Sequence, residues 1–303
     1  MSADEGVTVL MSPPIGWFFA AMWGAIWGSF ANVAVYRLGR EDAALSMLVS
    51  PPSHCPHCNA PVRARDNVPI LGWILLGGRC RSCRAPISIR YPIVEAGSTL
   101  LALAVYQSFV VDHPDAAPLM LCRFLIYFFF VATLGVLALI DLDTMLIPDA
   151  ITLPGIPFFL VAGRVFHDVT LLDAVLGAAV GFGGIKALQI GYARFARREG
   201  MGGGDATLMA LVGGFLGWRS LPFTLGLGAT IGTLVTVPLL LLRRRKEEPT
   251  APTATEGEPS EGGEPGSIRH VEVPFGPFLV LGALAYLFFK DAAWAWFVAY
   301  EDR

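Results

Sequence analysis

Charge is scarce in this chain. Asp, Glu, Lys and Arg make up 16% of its 303 residues, against 54% for hydrophobic residues, whereas soluble domains carry about 25% charged residues. That shortage excludes an ordinary soluble domain and points to an integral membrane protein of the helical kind. No extended stretch interleaves basic residues with aromatics, so nucleic acid is not an expected partner. The Gly-rich stretch 197–205 lacks the Gly-Lys-Ser/Thr of a phosphate loop, which disfavours NTP-driven chemistry. No basic leader precedes the first apolar run, and that run continues too long for a cleavable signal peptide. The Gly-rich strand-to-helix turn of soluble nucleotide sites is missing as well.

What is present is a series of apolar runs at 14–38, 91–111, 119–140, 150–166, 171–192, 206–218, 221–242 and 273–300. Since a spanning helix needs about 20 apolar residues, the expected fold is an all-α polytopic membrane protein with about eight transmembrane helices. The run 206–218 is short enough to be tilted or re-entrant. Between the first two runs the composition turns to Pro, Arg, Cys and turn residues, which marks a compact polar insert. After the seventh run the basic step Arg243-Arg244-Arg245-Lys246 leads into a Pro/Glu/Gly/Ser/Thr-rich stretch expected to be disordered. The chain thus divides into an N-terminus with the first span (1–38), the Cys-bearing insert (39–90), a membrane core (91–242), a disordered linker (243–272) and a last span with the C-terminus (273–303).

The basic residues orient these spans. With the insert on the cytoplasmic side, the inside loops collect eight Arg in 37–90, three in 193–205 and five Lys/Arg in 243–272. The opposite loops hold only Arg164, Arg219 and Arg303. This positive-inside bias places the N-terminus outside and the insert in the cytoplasm. Arg123, Lys186 and Lys290 lie within runs or near their ends and leave the assignment unchanged.

Two constellations carry chemistry. The first is Cys55-Pro56-His57-Cys58 with Cys80-Arg81-Ser82-Cys83, a repeated Cys-x2-Cys pair separated by a 21-residue spacer. Each pair offers two thiolates from one tight knuckle, and two knuckles complete the tetrahedral sulfur site that Zn²⁺ prefers. A cytoplasmic setting keeps thiols reduced, which argues against two disulfides. His54 and His57 are alternative ligands, disfavoured because four cysteines are available. A four-sulfur site leaves no open position, so the ion would be structural. The fifth cysteine, Cys122, stands alone in an apolar run and reads as a small core residue.

The second constellation is acidic. Leu139-Ile140-Asp141-Leu142-Asp143-Thr144-Met145-Leu146-Ile147-Pro148-Asp149 closes the third span, and Gly200-Met201-Gly202-Gly203-Gly204-Asp205 opens the sixth. Counting spans puts Asp141 and Asp205 on the same side at similar depth. Two carboxyl groups held close in a low-dielectric setting share a proton and titrate as a coupled pair. The ionised partner then deprotonates water while the protonated one polarises a scissile carbonyl, the chemistry of aspartic proteases. Asp141 directly follows an unbroken apolar helix and is favoured over Asp143; Asp143 and Asp149 read as solvated or capping residues. Gly202, Gly203 and Gly204 would allow unusual backbone dihedrals and let a substrate backbone approach Asp205. The alternative is a loop whose Asp205 merely caps the next helix.

These residues resemble the type IV prepilin peptidases, also called leader peptidase/N-methyltransferases, which are bacterial inner-membrane aspartyl proteases of the GxGD type. Gly28-Ser29-Phe30 with Asn32-Val33 and Tyr36-Arg37 is similar to the family's first-span signature. The paired Cys-x2-Cys, with Asp66-Asn67-Val68-Pro69-Ile70-Leu71-Gly72-Trp73 between them, resembles its cytoplasmic zinc domain, and Ile89-Arg90-Tyr91-Pro92-Ile93-Val94-Glu95 its approach to the second span. Asp141 to Asp149, Gly202-Gly203-Gly204-Asp205 and Val273-Pro274-Phe275-Gly276-Pro277-Phe278 resemble its two catalytic segments and its final-span motif. The resemblance implies Asp141 and Asp205 as the catalytic pair and a multi-pass inner-membrane protein with a periplasmic N-terminus and a site facing the cytoplasm. It implies as substrates the prepilins and pseudopilins of type IV pilus and type II secretion systems, cut after a glycine. It further implies N-methylation of the new N-terminal residue, usually Phe, from S-adenosylmethionine, and retention of all four cysteines fits that bifunctional form. Two departures stand out: Thr207 occupies a position that is often Lys in the family, and 247–266 resembles a dispensable insertion.

Other readings compete. A proton-coupled transporter would use the same two carboxylates as a relay, but it leaves the cysteine module unexplained and no clear inverted repeat supports it. A zinc-bearing scaffold without catalysis predicts that either Asp can be replaced without loss. Glu95 is either functional, charge being costly there, or an interfacial partner of Arg90. Glycines 177, 181, 183 and 184 are spaced for close helix contact, and Trp and Tyr near span ends read as interfacial anchors.

Overall fold

The computed structural model describes residues 3–39, 45–48, 53–111, 117–167, 169–196, 202–246 and 273–301. Helices dominate, and no strand occurs among the described residues beyond two isolated bridges. In chain order they are α1 (Ala3–Met11), α2 (Ile15–Leu38), the short α3 (Leu71–Leu75), α4 (Arg90–Tyr106), which continues as a π-turn through Val111, α5 (Ala117–Thr144), α6 (Asp149–Phe166), α7 (Leu171–Ala196), α8 (Gly204–Leu216), α9 (Ser220–Lys246) and α10 (Gly276–Glu301). Six are long and apolar enough to cross a membrane: α2, α4 with its π-turn, α5, α6, α7 and α9. Two further apolar helices, α8 and the stretch Gly276–Lys290 of α10, are shorter, so eight crossings are reached only if both also traverse the bilayer.

Several expectations change. α1 is additional: its last residue accepts a hydrogen bond from the Tyr106 hydroxyl, Oη to Met11 O at 2.8 Å. α9 runs on through Lys246, so the basic step at 243–246 is helical rather than the start of a disordered linker. The proposed insertion at 247–266 lies outside the described residues. Cys122 is exposed on the outer surface of α5 and is not a core residue, because it falls on the opposite side of the helix from the stripe described next.

The interior is organised by α5 and α8. On α5, Phe124, Tyr127, Phe128, Val131, Leu134 and Leu137 are buried, a spacing of three and four that draws one stripe along a helix. Aromatic residues of α2 fit against it, with Phe19 5.7 Å from Phe124 between centroids. α8 has no free face: Asp205 through Leu216 are all buried, enclosed chiefly by α6 and α7. Close approach to α7 needs glycine, since a Cβ on Gly177 or Gly181 would strike the carbonyls of Gly213 and Met209. Gly183 and Gly184 face open space and make no such contact, so only half of that glycine set serves helix packing.

Candidate active site

Asp141 is the last member of the α5 stripe, one heptad beyond Leu134, and is 5% exposed. Asp143, about 200° further round the helix, points away from the core and is exposed. It pairs there with Arg90 of α4, whose Nη1 lies 2.7 Å from Oδ2. Asp149 is likewise exposed and opens α6. Helical geometry therefore separates the three carboxylates as depth in the sequence did.

Asp205 lies within the first turn of α8, whose N-cap is Gly203, and is 5% exposed. The capping alternative fails because the residue sits inside the helix. Two contacts show how its element meets that of Asp141. The backbone of Gly204 presses on Ile147, beyond the end of α5: a Cβ at 204 would stand 2.5 Å from the Ile147 Cβ. At the start of α10, the Gly276 N–H donates to Asp141 Oδ2 at 2.9 Å, and a Cβ there would lie 2.6 Å from that same oxygen. Three segments distant in sequence thus converge on one pair of buried carboxylates.

The glycines divide by role. None of residues 202–204 has positive φ, so unusual dihedrals are not the reason for them. Gly204 is required by its contact with Ile147, while a Cβ on Gly202 would meet nothing within 4 Å, leaving open space beside the loop. Gln189 of α7 holds that loop, its Nε2 donating to Gly202 O at 2.6 Å. The Lys186 ammonium stands next to Gly203, at 3.8 Å from where its Cβ would be. Thr207 is buried, and its hydroxyl donates back to Gly204 O at 2.9 Å, so it supplies no charge to the site. Gly276 and Lys186 had no assigned role in the sequence; the available signals were a glycine flanked by Phe275 and Pro277 and a cation inside an apolar run.

Outside the helices, Cys55, Cys58, Cys80 and Cys83 form one cluster with all four sulfurs within 4.8 Å of one another. Cys55 and Cys83 sulfurs are 3.8 Å apart, Cys58 and Cys80 sulfurs 4.0 Å. Tetrahedral Zn²⁺ with Zn–S of about 2.3 Å places its sulfurs about 3.8 Å apart, so the donor set fits that ion. Each knuckle closes the same way: Cys55 N–H donates to Ala60 O and Cys80 N–H to Ala85 O, and Asn59 and Arg84 take the left-handed turn at φ 55° and 60°. The amides of Cys83 and Ser82 hydrogen-bond the Cys80 sulfur and lower its pKa to about 6, while that of Cys58 in the same cluster is raised to about 11. All four are free thiols, and His57 is exposed outside the cluster. Arg81, between two of the cysteines, clasps Asp66 through Nε and Nη2, holding the Asp66 carboxyl below its usual range. Glu95 does not pair with Arg90. It is 7% exposed and accepts the Ile70 N–H at 2.6 Å.

Residues 22–109 match the family model described as Bacterial Peptidase A24 N-terminal domain, and residues 128–237 match that of the Type IV leader peptidase family. Relatives named prepilin leader peptidase/N-methyltransferase align along most of their length. The Aeromonas hydrophila protein is 33% identical over 89% of this chain and 90% of its own. That of Pseudomonas putida is 33% identical over 94% of each, and that of Burkholderia pseudomallei 33% over 89% and 84%. No solved structure matches. The first matched stretch carries the four cysteines and Glu95, the second both buried carboxylates. With a third of its residues shared along about nine-tenths of such proteins, the chain belongs to the type IV leader peptidase family.

Proposed function

We propose that this protein is a membrane aspartyl endopeptidase that removes the leader of type IV prepilins and pseudopilins on the cytoplasmic side, after a glycine, and then N-methylates the new N-terminus. The observation that carries this reading is the convergence of Asp141 and Asp205, both 5% exposed, from separate helices. A substrate with a polar leader ahead of a long apolar helix would hold its cleavage junction at the membrane surface, where the C-terminal end of α5 and the start of α8 would lie.

In the cleavage step one carboxylate takes a proton from water as the water oxygen bonds to the scissile carbonyl carbon, while the protonated partner donates a hydrogen bond to the carbonyl oxygen. Collapse breaks the C–N bond, and the departing amine takes a proton from the carboxyl that had received one from water. The Gly276 amide engages Oδ2 of Asp141 and so leaves Oδ1 for the water. Gly202 and Gly203 would border the extended cleavage segment. S-adenosylmethionine, the methyl-donating substrate, would then pass its methyl group to the freed amine, usually of Phe, with loss of one N–H proton. Cys55, Cys58, Cys80 and Cys83 would hold one structural Zn²⁺.

The test is cleavage of a purified prepilin by membranes carrying the wild type, Asp141→Asn or Asp205→Asn, with the product N-terminus read by mass spectrometry. Both variants are expected to lose cleavage, and the wild-type product to gain a methyl group. Cleavage retained in both would remove the aspartyl mechanism and favour the transporter or scaffold.

A further inference from the structure

The insert carries an apolar surface with no cover among the described residues. Leu71, Ile74 and Leu75 of α3 are 57%, 58% and 82% exposed, and spacing of three and four puts them on one face. The other face is occupied. Gly72 lies against the Asp66 carbonyl, while Trp73 lays its ring on Gly78 and donates its indole N–H to Ile87 O at 3.0 Å. α3 therefore sets Gly72 and Trp73 onto the insert and turns Leu71, Ile74 and Leu75 outward.

Its attachment indicates what meets that side. Ile70, the residue before α3, is fastened to Glu95 by the 2.6 Å hydrogen bond. Glu95 lies five residues after Arg90 in a membrane-capable span, about 7.5 Å along the helix at 1.5 Å per residue. A carboxylate buried at such depth is costly, and the group it meets is an amide, since Arg90 is engaged by Asp143. Ile70 itself has φ 61°, an outlier for a β-branched residue that persists only where its surroundings hold it. The start of α3 is thus pinned to the opening turns of α4 at Glu95, where Tyr91 and Ile93 are 46% and 60% exposed. The insert presents Arg63, Arg65, Arg79, Arg81 and Arg84, all exposed, against a single carboxylate, Asp66, between residues 53 and 89.

We infer that α3 is an interfacial foot of the insert: Leu71, Ile74 and Leu75 enter the cytoplasmic leaflet beside α4, and Glu95 sets their depth by holding Ile70. Lipid is the occupant because the residue before α3 is fastened to a carboxylate within a membrane-capable span and because the insert's exposed arginines complement anionic headgroups. The inference does not depend on the peptidase reading.

The full chain would be reconstituted in phosphatidylcholine/phosphatidylglycerol vesicles with benzoylphenylalanine at position 75, and photo-adducts identified by mass spectrometry. Position 100, a residue 67% exposed on α4, serves as the lipid-facing control, and exposed position 59 on the first knuckle as the aqueous one. Position 75 is expected to form lipid adducts at a yield close to that of position 100 and about tenfold above that of position 59. Glu95→Ala should reduce the yield at 75 several-fold while leaving that at 100 unchanged, and Glu95→Gln, which keeps an acceptor for Ile70, should restore it. A yield at 75 matching that at 59, or crosslinks at 75 to a second copy of the chain, would overturn the lipid assignment. A yield at 75 unaffected by Glu95→Ala would overturn the role of Glu95.

Discussion

Around Asp141 and Asp205 the chain is closed on nearly every side, whereas around the four cysteines almost nothing is buried: of residues 53–89 only Gly72 and Gly78 are. α8, by contrast, buries every residue from Asp205 to Leu216. The carboxylates are held by apolar packing and by glycines that let backbones touch, such as Gly204 on Ile147. The sulfurs are held by hydrogen bonds within two hairpin knuckles and by the Asp66–Arg81 clasp. A module this small has too little apolar area to fold on a core and needs a staple such as a metal. One region should therefore yield to chelation and the other should not notice it.

The largest effect is expected from that difference. Stripping metal with a strong chelator, or replacing Cys58 and Cys83 by Ser, should open the insert completely to trypsin at Arg63, Arg65, Arg79 and Arg84. The helices from 117 to 246 should stay protected, and circular dichroism should show their melting unmoved. Loss of protection in both regions together would mean that the core leans on the insert. Next in size, Asp141→Asn and Asp205→Asn should each lower the cleavage rate by about 10²–10⁴-fold with the helical signal intact. Third, Gly276→Ala places a Cβ 2.6 Å from Asp141 Oδ2, so the carboxylate or α10 must move. Displacements of that order cost about 10²-fold in rate. Gly226→Ala, in open space on α9, should leave cleavage unchanged, and equal loss in both would show that the defect is not local to Asp141.

The parts readable in the sequence are those set by local periodicity or spacing. The apolar runs became helices with ends close to those expected, the four cysteines met as two Cys-x2-Cys pairs, and Asp141, favoured over Asp143 because it directly follows the apolar run, is the one of the two that is buried. What escaped depends on which helix lies against which. Glu95 receives an amide from the insert rather than the neighbouring Arg90, Gly276 supplies its N–H to a carboxylate on another helix, and Lys186 reaches Gly203 from α7. Nothing in the runs around Cys122 or Gly183 distinguished an inward from an outward face, and both turn outward.

The smallest expected effect is at Asp143, and it bears on the comparison most directly. Its pair with Arg90 joins α4 to α5 just beyond Asp141, with the two side chains 36% and 42% exposed. Exposed pairs of this kind contribute about 0–1 kcal/mol and are weakened by salt. Asp143→Asn should therefore leave cleavage within about twofold of wild type, and whatever difference remains should shrink as ionic strength rises. Asp141→Asn, two residues away on the same helix, should show its loss of about 10²–10⁴-fold at any salt concentration. If Asp143→Asn instead removed cleavage as fully as Asp141→Asn, burial would not be what selects the reacting carboxylate. The division between a packed acidic site and a loosely held surface would then have to be drawn on the other side of residue 143.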